Sequence, residues 1–208
     1  IESIDYISGN VVRAALAKHI LSNCPYHKRN EVIEIDGVKR KNWVYFRGES
    51  QCTNCPFKGL CKKFSNIKIS YFYPEGVTII PATAMRCKMH PEHGFVDILV
   101  EQPICKKCSG RDGRVETVTG YVKEGKDYTV TKSFFAKTAI DRYTGTAKDG
   151  MLYSVLAVTA THEKANIFEG SIQGLAQKDL EPVKQLRIGK YISTGFGKCS
   201  LIVDEKPS

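Results

Sequence analysis

Cysteine spacing is the feature of this chain that most clearly permits chemistry. Two of the eight cysteines, Cys105 and Cys108, are separated by two residues, so a tight turn can direct both thiolates at one metal ion. Such spacing favours a metal site over the disulfide framework of a small secreted domain. Cys87 and a histidine, either His93 or His90, complete four ligands. We therefore predict a zinc site formed by Cys87, His93, Cys105 and Cys108.

A second group of cysteines lies earlier in the chain. Cys52, Cys55 and Cys61 supply three thiolates and need a fourth ligand, for which Cys24 is the first choice and His27 the substitute. The sequence predicts a second zinc ion here. Because four thiolates also suit an iron–sulfur cluster, that alternative stays open.

Glycines and basic residues are concentrated between 186 and 198, close to the C-terminus. Glycine permits positive φ angles and close approach of another chain, while lysine and hydroxyl side chains donate to phosphate oxygens. The pattern is neither a P-loop nor a dinucleotide fingerprint, because a strand follows the loop. A simple turn is the alternative. The loop residues that could contact a polyanion are Gly189, Lys190, Tyr191, Ser193, Thr194, Gly195, Phe196, Gly197 and Lys198.

The elements that must position these residues can be read from the hydrophobic pattern. Val12, Leu16 and Ile20 repeat every four residues and predict an amphipathic helix over Ser8–Leu21. We expect an opening strand before this helix, and because residues 1–6 run almost directly into the helix, that strand would belong to another segment. We also predict a hairpin arm over 32–37, strands over 67–73, 95–100, 151–158 and 167–172, a hairpin over 115–131, a short helix over 175–187 and a last strand containing Cys199.

Length and charge narrow the class of protein. The 208 residues suffice for a substantial core, and the net charge of +9 indicates a negatively charged partner. The positive charge is distributed along the chain, which suits nucleic acid better than a membrane surface. No apolar run approaches the ~20 residues of a membrane span, and no leader opens the chain, so we expect a cytoplasmic protein.

Several segments together resemble the RAMP superfamily of CRISPR effector subunits. Residues 6–17 resemble its opening-helix motif, although Ser8 replaces a proline and Ala14 a glycine. Residues 137–154 and 168–172 resemble segments of type III subunits, and the Gly-rich loop resembles the superfamily's G-loop. Residues 81–108 are similar to the type III-D member of the Cas-five group.

The resemblance implies an α+β, ferredoxin-like (RRM-type) core that spans residues 1–208 as one RAMP domain. Zinc-binding or hairpin insertions would occupy 23–65 and 81–131. Such a subunit is non-catalytic, binds crRNA at its 5′ repeat-derived tag and caps the backbone filament in antiviral defence. Its partners would be crRNA, RAMP backbone subunits, the large subunit and, indirectly, target RNA. Besides the loop, the resemblance assigns RNA contacts to Ser8, Gly9, Asn10, Arg13, Lys137 and Arg142.

Two other functions remain open from the sequence. A backbone subunit of the same superfamily cleaves target RNA with an aspartate before the opening helix, and Asp5 is the candidate for this metal-dependent endoribonuclease. A free-standing zinc-ribbon RNA-binding module is the alternative from another class.

Overall fold

The computed structural model describes residues 2–108, 113–160 and 165–204 of the chain. It contains four α-helices and sixteen strands within these residues. The elements are α1 (Gly9–Asn23), β1 (Val32–Ile35), β2 (Val38–Lys41), α2 (Glu49–Cys52), α3 (Lys58–Lys63), β3 (Lys68–Ile69), β4 (Tyr73–Pro74), β5 (Thr78–Ile79), β6 (Ala84–Cys87), β7 (Phe95–Asp97), β8 (Val115–Thr117), β9 (Tyr121–Lys123), β10 (Lys126–Tyr128), β11 (Lys132–Ile140), β12 (Ala147–Val158), β13 (Phe168–Glu169), β14 (Ile172–Gln173), α4 (Gln177–Leu180), β15 (Gln185–Arg187) and β16 (Lys198–Ser200), with 3₁₀ turns at Pro91–His93 and Ile192–Thr194.

The chain divides into two compact units. Unit 1 comprises Ile1–Asp5 and Tyr73–Ile167, and unit 2 comprises Tyr6–Phe72 and Phe168–Ser208. Each unit has a hydrophobic cluster of its own.

Helix α1 organises the core of unit 2. Val12, Leu16 and Ile20 are almost completely buried, as the four-residue spacing predicts. Gly9 begins the helix against β3, where a Cβ atom would overlap the carbonyl oxygen of Ile69. Glycine at this position therefore permits α1 to lie directly on the strand.

The β15–β16 hairpin closes unit 2 and carries the Gly-rich loop. The two strands are antiparallel, with Leu186 opposite Cys199. Leu186 is buried in the same cluster as Val12 and Leu16, so the base of the loop is fixed to the core that holds α1.

Small antiparallel sheets make up unit 1. In one sheet β6 lies between β7 and β8, in another β9 lies between β10 and β5, and β11 pairs with β12 as a long ribbon. The buried cluster here contains Ile80, Ala84 and Val118 and is much smaller than that of unit 2.

The β11–β12 ribbon is exposed along most of its length. Phe134 and Leu152 are both 76% exposed, while Val155 and Ala157 near its base are buried. At the tip, the Asp141 carboxylate accepts hydrogen bonds from the N–H groups of Tyr143 (2.8 Å) and Thr144 (3.1 Å). The turn is therefore organised by local hydrogen bonds.

Four predicted elements are shorter than expected. The strand over 95–100 is limited to Phe95–Asp97, in β7. The strand over 67–73 forms ladder pairs only at its ends, in β3 and β4, and the strand over 167–172 is divided at Gly170. The helix over 175–187 ends after Leu180, because Pro182 cannot continue it, and the chain enters β15.

The architecture is a mixed α/β arrangement of small sheets and few helices. No sheet among the described residues has more than three strands, whereas a ferredoxin-like core has four. Residues 109–112 of the predicted 81–131 insertion lie outside the described part. In that same part, none of the helices combines the length and apolar character needed to cross a bilayer.

Candidate functional site

Four predicted ligands converge in unit 1. One ligand atom each from Cys87, His93, Cys105 and Cys108 lies within 4.8 Å of all the others. The Sγ atoms of Cys87 and Cys108 are 3.7 Å apart, and His93 Nδ1 is 3.4 Å from Cys105 Sγ and 3.5 Å from Cys108 Sγ. The residues therefore form a candidate metal-binding site, as the spacing predicted.

Strand pairing positions these ligands. Cys87 ends β6, where it lies opposite Val115 of β8, and the 3₁₀ turn that follows carries His93 before the chain returns as β7. The N–H of Cys105 donates to the carbonyl oxygen of Gly113 at 3.0 Å, which ties Cys105 to the chain shortly before β8. The site thus lies at one end of the β7–β6–β8 sheet.

The structure distinguishes the two candidate histidines. His93 directs Nδ1 at the sulfur atoms, whereas the Nδ1 of exposed His90 lies 3.1 Å from a carboxylate oxygen of Glu92. The two rings stack with centroids 4.8 Å apart. His90, Glu92 and His93 also place ligand atoms within 4.8 Å of one another, but that group is largely exposed. His93 is therefore the histidine of the cysteine cluster.

The electrostatics of the cluster suit a cation. Burial opposes ionisation of Cys105, but hydrogen bonds from His93 and the N–H groups of Lys107 and Cys108 lower the pKa of its thiol to about 6. Burial and the adjoining cysteines raise the pKa of the Cys108 thiol. A bound metal ion would stabilise all the thiolates at once and so offset the unfavourable interaction between neighbouring cysteines. Four protein ligands fill a tetrahedral coordination shell and leave no position for a substrate. The set is therefore typical of a structural site.

The other predicted cluster is less compact. Cys24 follows α1, Cys52 ends α2, Cys61 lies in α3, and Cys55 lies between these two helices. Among the residues that the structure describes, the mutual spacing of 4.8 Å is met by the cluster in unit 1, whereas no three of these four sulfur atoms meet it.

The Gly-rich loop has a defined conformation. The N–H of Ile188 donates to the carbonyl oxygen of Gly197 at 2.8 Å, and the N–H of Thr194 to that of Tyr191 at 2.9 Å. Gly197 has φ of +72°, and a Cβ atom there would overlap the Ile188 carbonyl. The rings of Tyr191 and Phe196 are half-buried, with centroids 6.3 Å apart.

Polar groups of the loop face solvent. The side chains of Lys190, Ser193 and Lys198 are exposed. Within the described part of the chain, neither lysine forms an ion pair. Gly189 and Gly195 also have positive φ, a backbone conformation that glycine adopts at little steric cost.

The residues at the start of α1 that were predicted to contact RNA differ in their surroundings. Ser8 precedes the helix and makes no side-chain capping bond, and Asn10 is exposed. Gly9 is buried against β3. The Arg13 guanidinium instead donates to the carbonyl oxygens of Phe64, at 3.0 Å, and Ile67. Arg13 is thus occupied within the protein.

The remaining candidates lie in unit 1. Arg142 is exposed at the ribbon tip, and Lys137 is half-buried on β11 opposite Tyr153. Asp5 forms an ion pair with Lys132 (2.6 Å), which also contacts Glu2 (2.7 Å). These two carboxylates raise the pKa of the Lys132 amine.

Sequence reasoning missed the ion-pair networks that surround the candidate sites. Glu31, for example, joins His27 to Arg47, which lies 16 residues away, and no local pattern marks such a pair. Only the folded arrangement reveals it.

Comparison with known proteins adds no assignment. No family model matches the chain, and no significant match was found among curated proteins.

Proposed function

We propose that this protein is a non-catalytic RNA-binding subunit of a type III CRISPR effector complex. It binds crRNA, at the 5′ repeat-derived tag, and caps a filament of RAMP backbone subunits in antiviral defence. It contacts the large subunit and meets target RNA only indirectly, in the cytoplasm. The ferredoxin-like class of its core and the zinc identity of its metal belong to this proposal.

One observation carries the proposal. The start of α1 and the base of the Gly-rich loop belong to the same unit, because Leu186 is buried with Val12 and Leu16. The N–H groups of Val11 and Val12 donate to the Ser8 carbonyl oxygen, and the N–H groups that open a helix before these favour anions such as phosphate. The loop adds the amines of Lys190 and Lys198 to this part of the protein.

The character of the loop supports single-stranded RNA as the ligand. Tyr191 and Phe196 offer aromatic surface next to exposed basic side chains, and bases stack on such rings without sequence preference. In unit 1, Arg142 is exposed at the ribbon tip and is a separate candidate for a phosphate contact. Contacts to phosphates would hold the RNA in position without reading its bases.

A non-catalytic role is supported by two arrangements. The Asp5 carboxylate is held by Lys132, which favours a structural role over metal-dependent cleavage. The cluster of Cys87, His93, Cys105 and Cys108 has four protein ligands, which is typical of structural zinc.

The test is the salt dependence of RNA binding by the double variant Lys190→Ala/Lys198→Ala. Each phosphate contact to a single strand contributes about 0.7 to the slope of log K against log salt, so losing two contacts lowers the slope by about 1.4. The control is Lys39→Ala/Lys41→Ala, which removes two exposed lysines of β2. An unchanged slope in the loop variant, or an equal loss in the control, contradicts the assignment.

Co-purification tests the assembly. We expect the tagged protein to recover crRNA and sibling subunits from its native cell. Recovery of the protein alone, still able to bind RNA, would instead identify a free-standing zinc-ribbon module.

A further inference from the structure

Large apolar side chains project into solvent from the segment of unit 1 that follows β7. Leu99 is 78% exposed and Val100 is 81% exposed, while Ile98 and Ile104 are about half exposed. A single exposed apolar residue is ordinary, but a concentration of them marks a binding surface. We refer to Ile98, Leu99, Val100 and Ile104 as the apolar patch.

Hydrogen bonds fix the turn that carries the two most exposed members of the patch. The carbonyl oxygen of Asp97 accepts from the N–H groups of Val100, at 3.0 Å, and Glu101, at 2.8 Å. The Asp97 carboxylate accepts from the N–H of Leu99 at 3.0 Å. Asp97 itself lies opposite Ala84 in the central strand β6. The two side chains therefore extend from an ordered backbone, so that a ligand has less conformational entropy to overcome.

A cavity lies beside this turn, and Glu101 forms part of its wall. Met85 of β6, Phe95 and Val96 of β7, and Val115 of β8 give it an apolar lining, and it also borders the cysteine cluster. Its volume of about 170 Å³ is several times the about 30 Å³ of one water molecule, so a metal ion in that cluster leaves most of it open. An apolar cavity of about 150 Å³ accommodates benzene. This cavity therefore has the size of one aromatic ring.

The cavity wall also carries a positive charge without a counter-charge. Lys106 and Lys107 line the cavity, and both are exposed. Lys106 pairs with Glu101 at 2.7 Å. Within residues 2–108, 113–160 and 165–204, Lys107 forms no ion pair. Its ammonium group is therefore complementary to a carboxylate on a ligand.

The size of this surface indicates what kind of partner covers it. A standard interface between two folded proteins engages about 20–30 residues on each side. The apolar patch and the cavity lining together have fewer residues, and two of these, Cys87 and Cys105, are buried. The surface therefore suits a short peptide segment better than a second copy of the folded chain.

We propose that the apolar patch and the cavity bind a short segment of a partner protein that presents an aromatic side chain next to an acidic residue. The aromatic ring enters the cavity, the carboxylate pairs with Lys107, and the flanking chain covers Leu99 and Val100. Apolar burial supplies most of the affinity, whereas an exposed ion pair acts mainly on the rate of association. This proposal concerns a protein partner and is independent of RNA binding.

Selection from a phage-displayed library of random linear peptides, with the full chain as the target, tests the class of ligand. We expect the enriched peptides to share a phenylalanine or tyrosine adjacent to an aspartate or glutamate. Enrichment of basic peptides, of purely aliphatic peptides or of no common motif would overturn the proposal.

Titration of a selected peptide, made synthetically, tests the apolar patch. Leu99→Ser/Val100→Ser should weaken binding at least about tenfold, because both side chains lose their contact with the peptide. Both residues are exposed, so the substitutions spare the core. The matched control is Phe134→Ser/Leu152→Ser, which removes two side chains of similar exposure from the β11–β12 ribbon and should leave the affinity within about twofold. Unchanged binding by the patch variant, or an equal loss in the control, contradicts the assignment.

Stopped-flow kinetics with the same peptide test the role of Lys107. Lys107→Ala should slow association severalfold at low salt and leave the dissociation rate nearly unchanged. Lys39→Ala is the control, because it removes an exposed lysine of unit 2. An association rate equal to that of the wild-type protein, or equally slow association in the control, would remove Lys107 from the site.

Two further measurements distinguish other occupants of the surface. We expect the wild-type chain to sediment as a monomer, and Leu99→Ser/Val100→Ser to bind RNA as the wild-type protein does. A dimer that this variant abolishes would assign the patch to a second copy, and a loss of RNA affinity would assign it to RNA; either result overturns the proposal. A wild-type protein that binds the peptide but no RNA would overturn only the proposed RNA-binding function.

Discussion

The Arg13 guanidinium is shared between two backbone carbonyl groups at and beyond the end of α3. Its bond to Phe64 O, at 3.0 Å, satisfies one of the carbonyl groups that a helix leaves unpaired at its C-terminal end. The side chain also lies over the Phe64 ring, 5.5 Å from its centroid. Arg13 therefore stabilises the contact between α1 and α3.

We predict that Arg13→Met lowers the free energy of unfolding by about 1–3 kcal/mol, because buried carbonyl groups lose their donor. Chemical denaturation of the metal-loaded protein measures the change. Arg142→Met is the control, since Arg142 is exposed at the ribbon tip, and it should change stability by less than about 0.5 kcal/mol. Equal stability of Arg13→Met and the wild-type protein would leave Arg13 available for RNA.

Single residues also show what sequence can predict. The cysteines of the unit 1 cluster were identifiable because their spacing is local to a turn and a hairpin. The choice between His93 and His90 could not be made from the sequence, because both residues lie within one short segment. Only the 3₁₀ turn decides which ring faces the sulfur atoms.

At the scale of elements, Asp179 connects α4 to α3. The carboxylate is buried, accepts from the N–H of Ala176 at 3.0 Å and pairs with Lys63 at 2.6 Å. Burial opposes the ionisation of Asp179, but the hydrogen bonds from Lys63 and Ala176 outweigh it. They hold the pKa of Asp179 below its ordinary value of 3.8. A carboxyl with a lowered pKa stabilises the folded state above its unfolded pKa and loses this contribution as the pH falls.

We predict that Asp179→Asn lowers the free energy of unfolding by about 1–3 kcal/mol at pH 7. The difference from the wild-type protein should narrow as the pH falls below about 3.8, because Asp179 is then protonated in the unfolded chain while the folded protein still holds it ionised at its lowered pKa. Chemical denaturation of both proteins across pH 3–7 measures this difference in the free energy of unfolding. Glu181→Gln is an exposed control next to α4, and a difference that is independent of pH would contradict the ion-pair account.

The predicted elements differ in how far the local pattern determines them. Helix α1 was predictable because its apolar spacing and its packing agree. The helix over 175–187 was overestimated because its apolar residues also suit a turn and a strand, and Pro182 lies in the turn that ends the helix. The strand over 167–172 is divided at Gly170, where a Cβ atom would overlap the Phe72 ring, a contact that no local pattern reveals.

At the scale of the whole molecule, the two units differ in how they are stabilised. Twelve buried residues form the cluster of unit 2, whereas three form that of unit 1. Small structures with little apolar core commonly depend on a metal ion. We therefore expect the cluster of Cys87, His93, Cys105 and Cys108 to contribute much of the local stability of unit 1.

We predict that Cys105→Ser/Cys108→Ser lowers the hydrogen-exchange protection of β6, β7 and β8 about 100-fold or more, the factor lost with a ligand present at 100 times its Kd. Protection of α1 in unit 2 should remain. Exchange followed by mass spectrometry measures both regions, with Cys199→Ser as the control. Loss of protection in α1 to the same extent would show that the two units unfold together.

Trp43 is the one tryptophan of the chain, and it lies in unit 2 beneath the Arg40 guanidinium. Its indole emission therefore provides a built-in optical reporter for that half of the molecule alone. Unfolding of unit 1 should leave the tryptophan emission unchanged. The tyrosines of unit 1 should report this unfolding in the near-ultraviolet circular dichroism. Two spectroscopic signals can thus separate the two unfolding steps without any label.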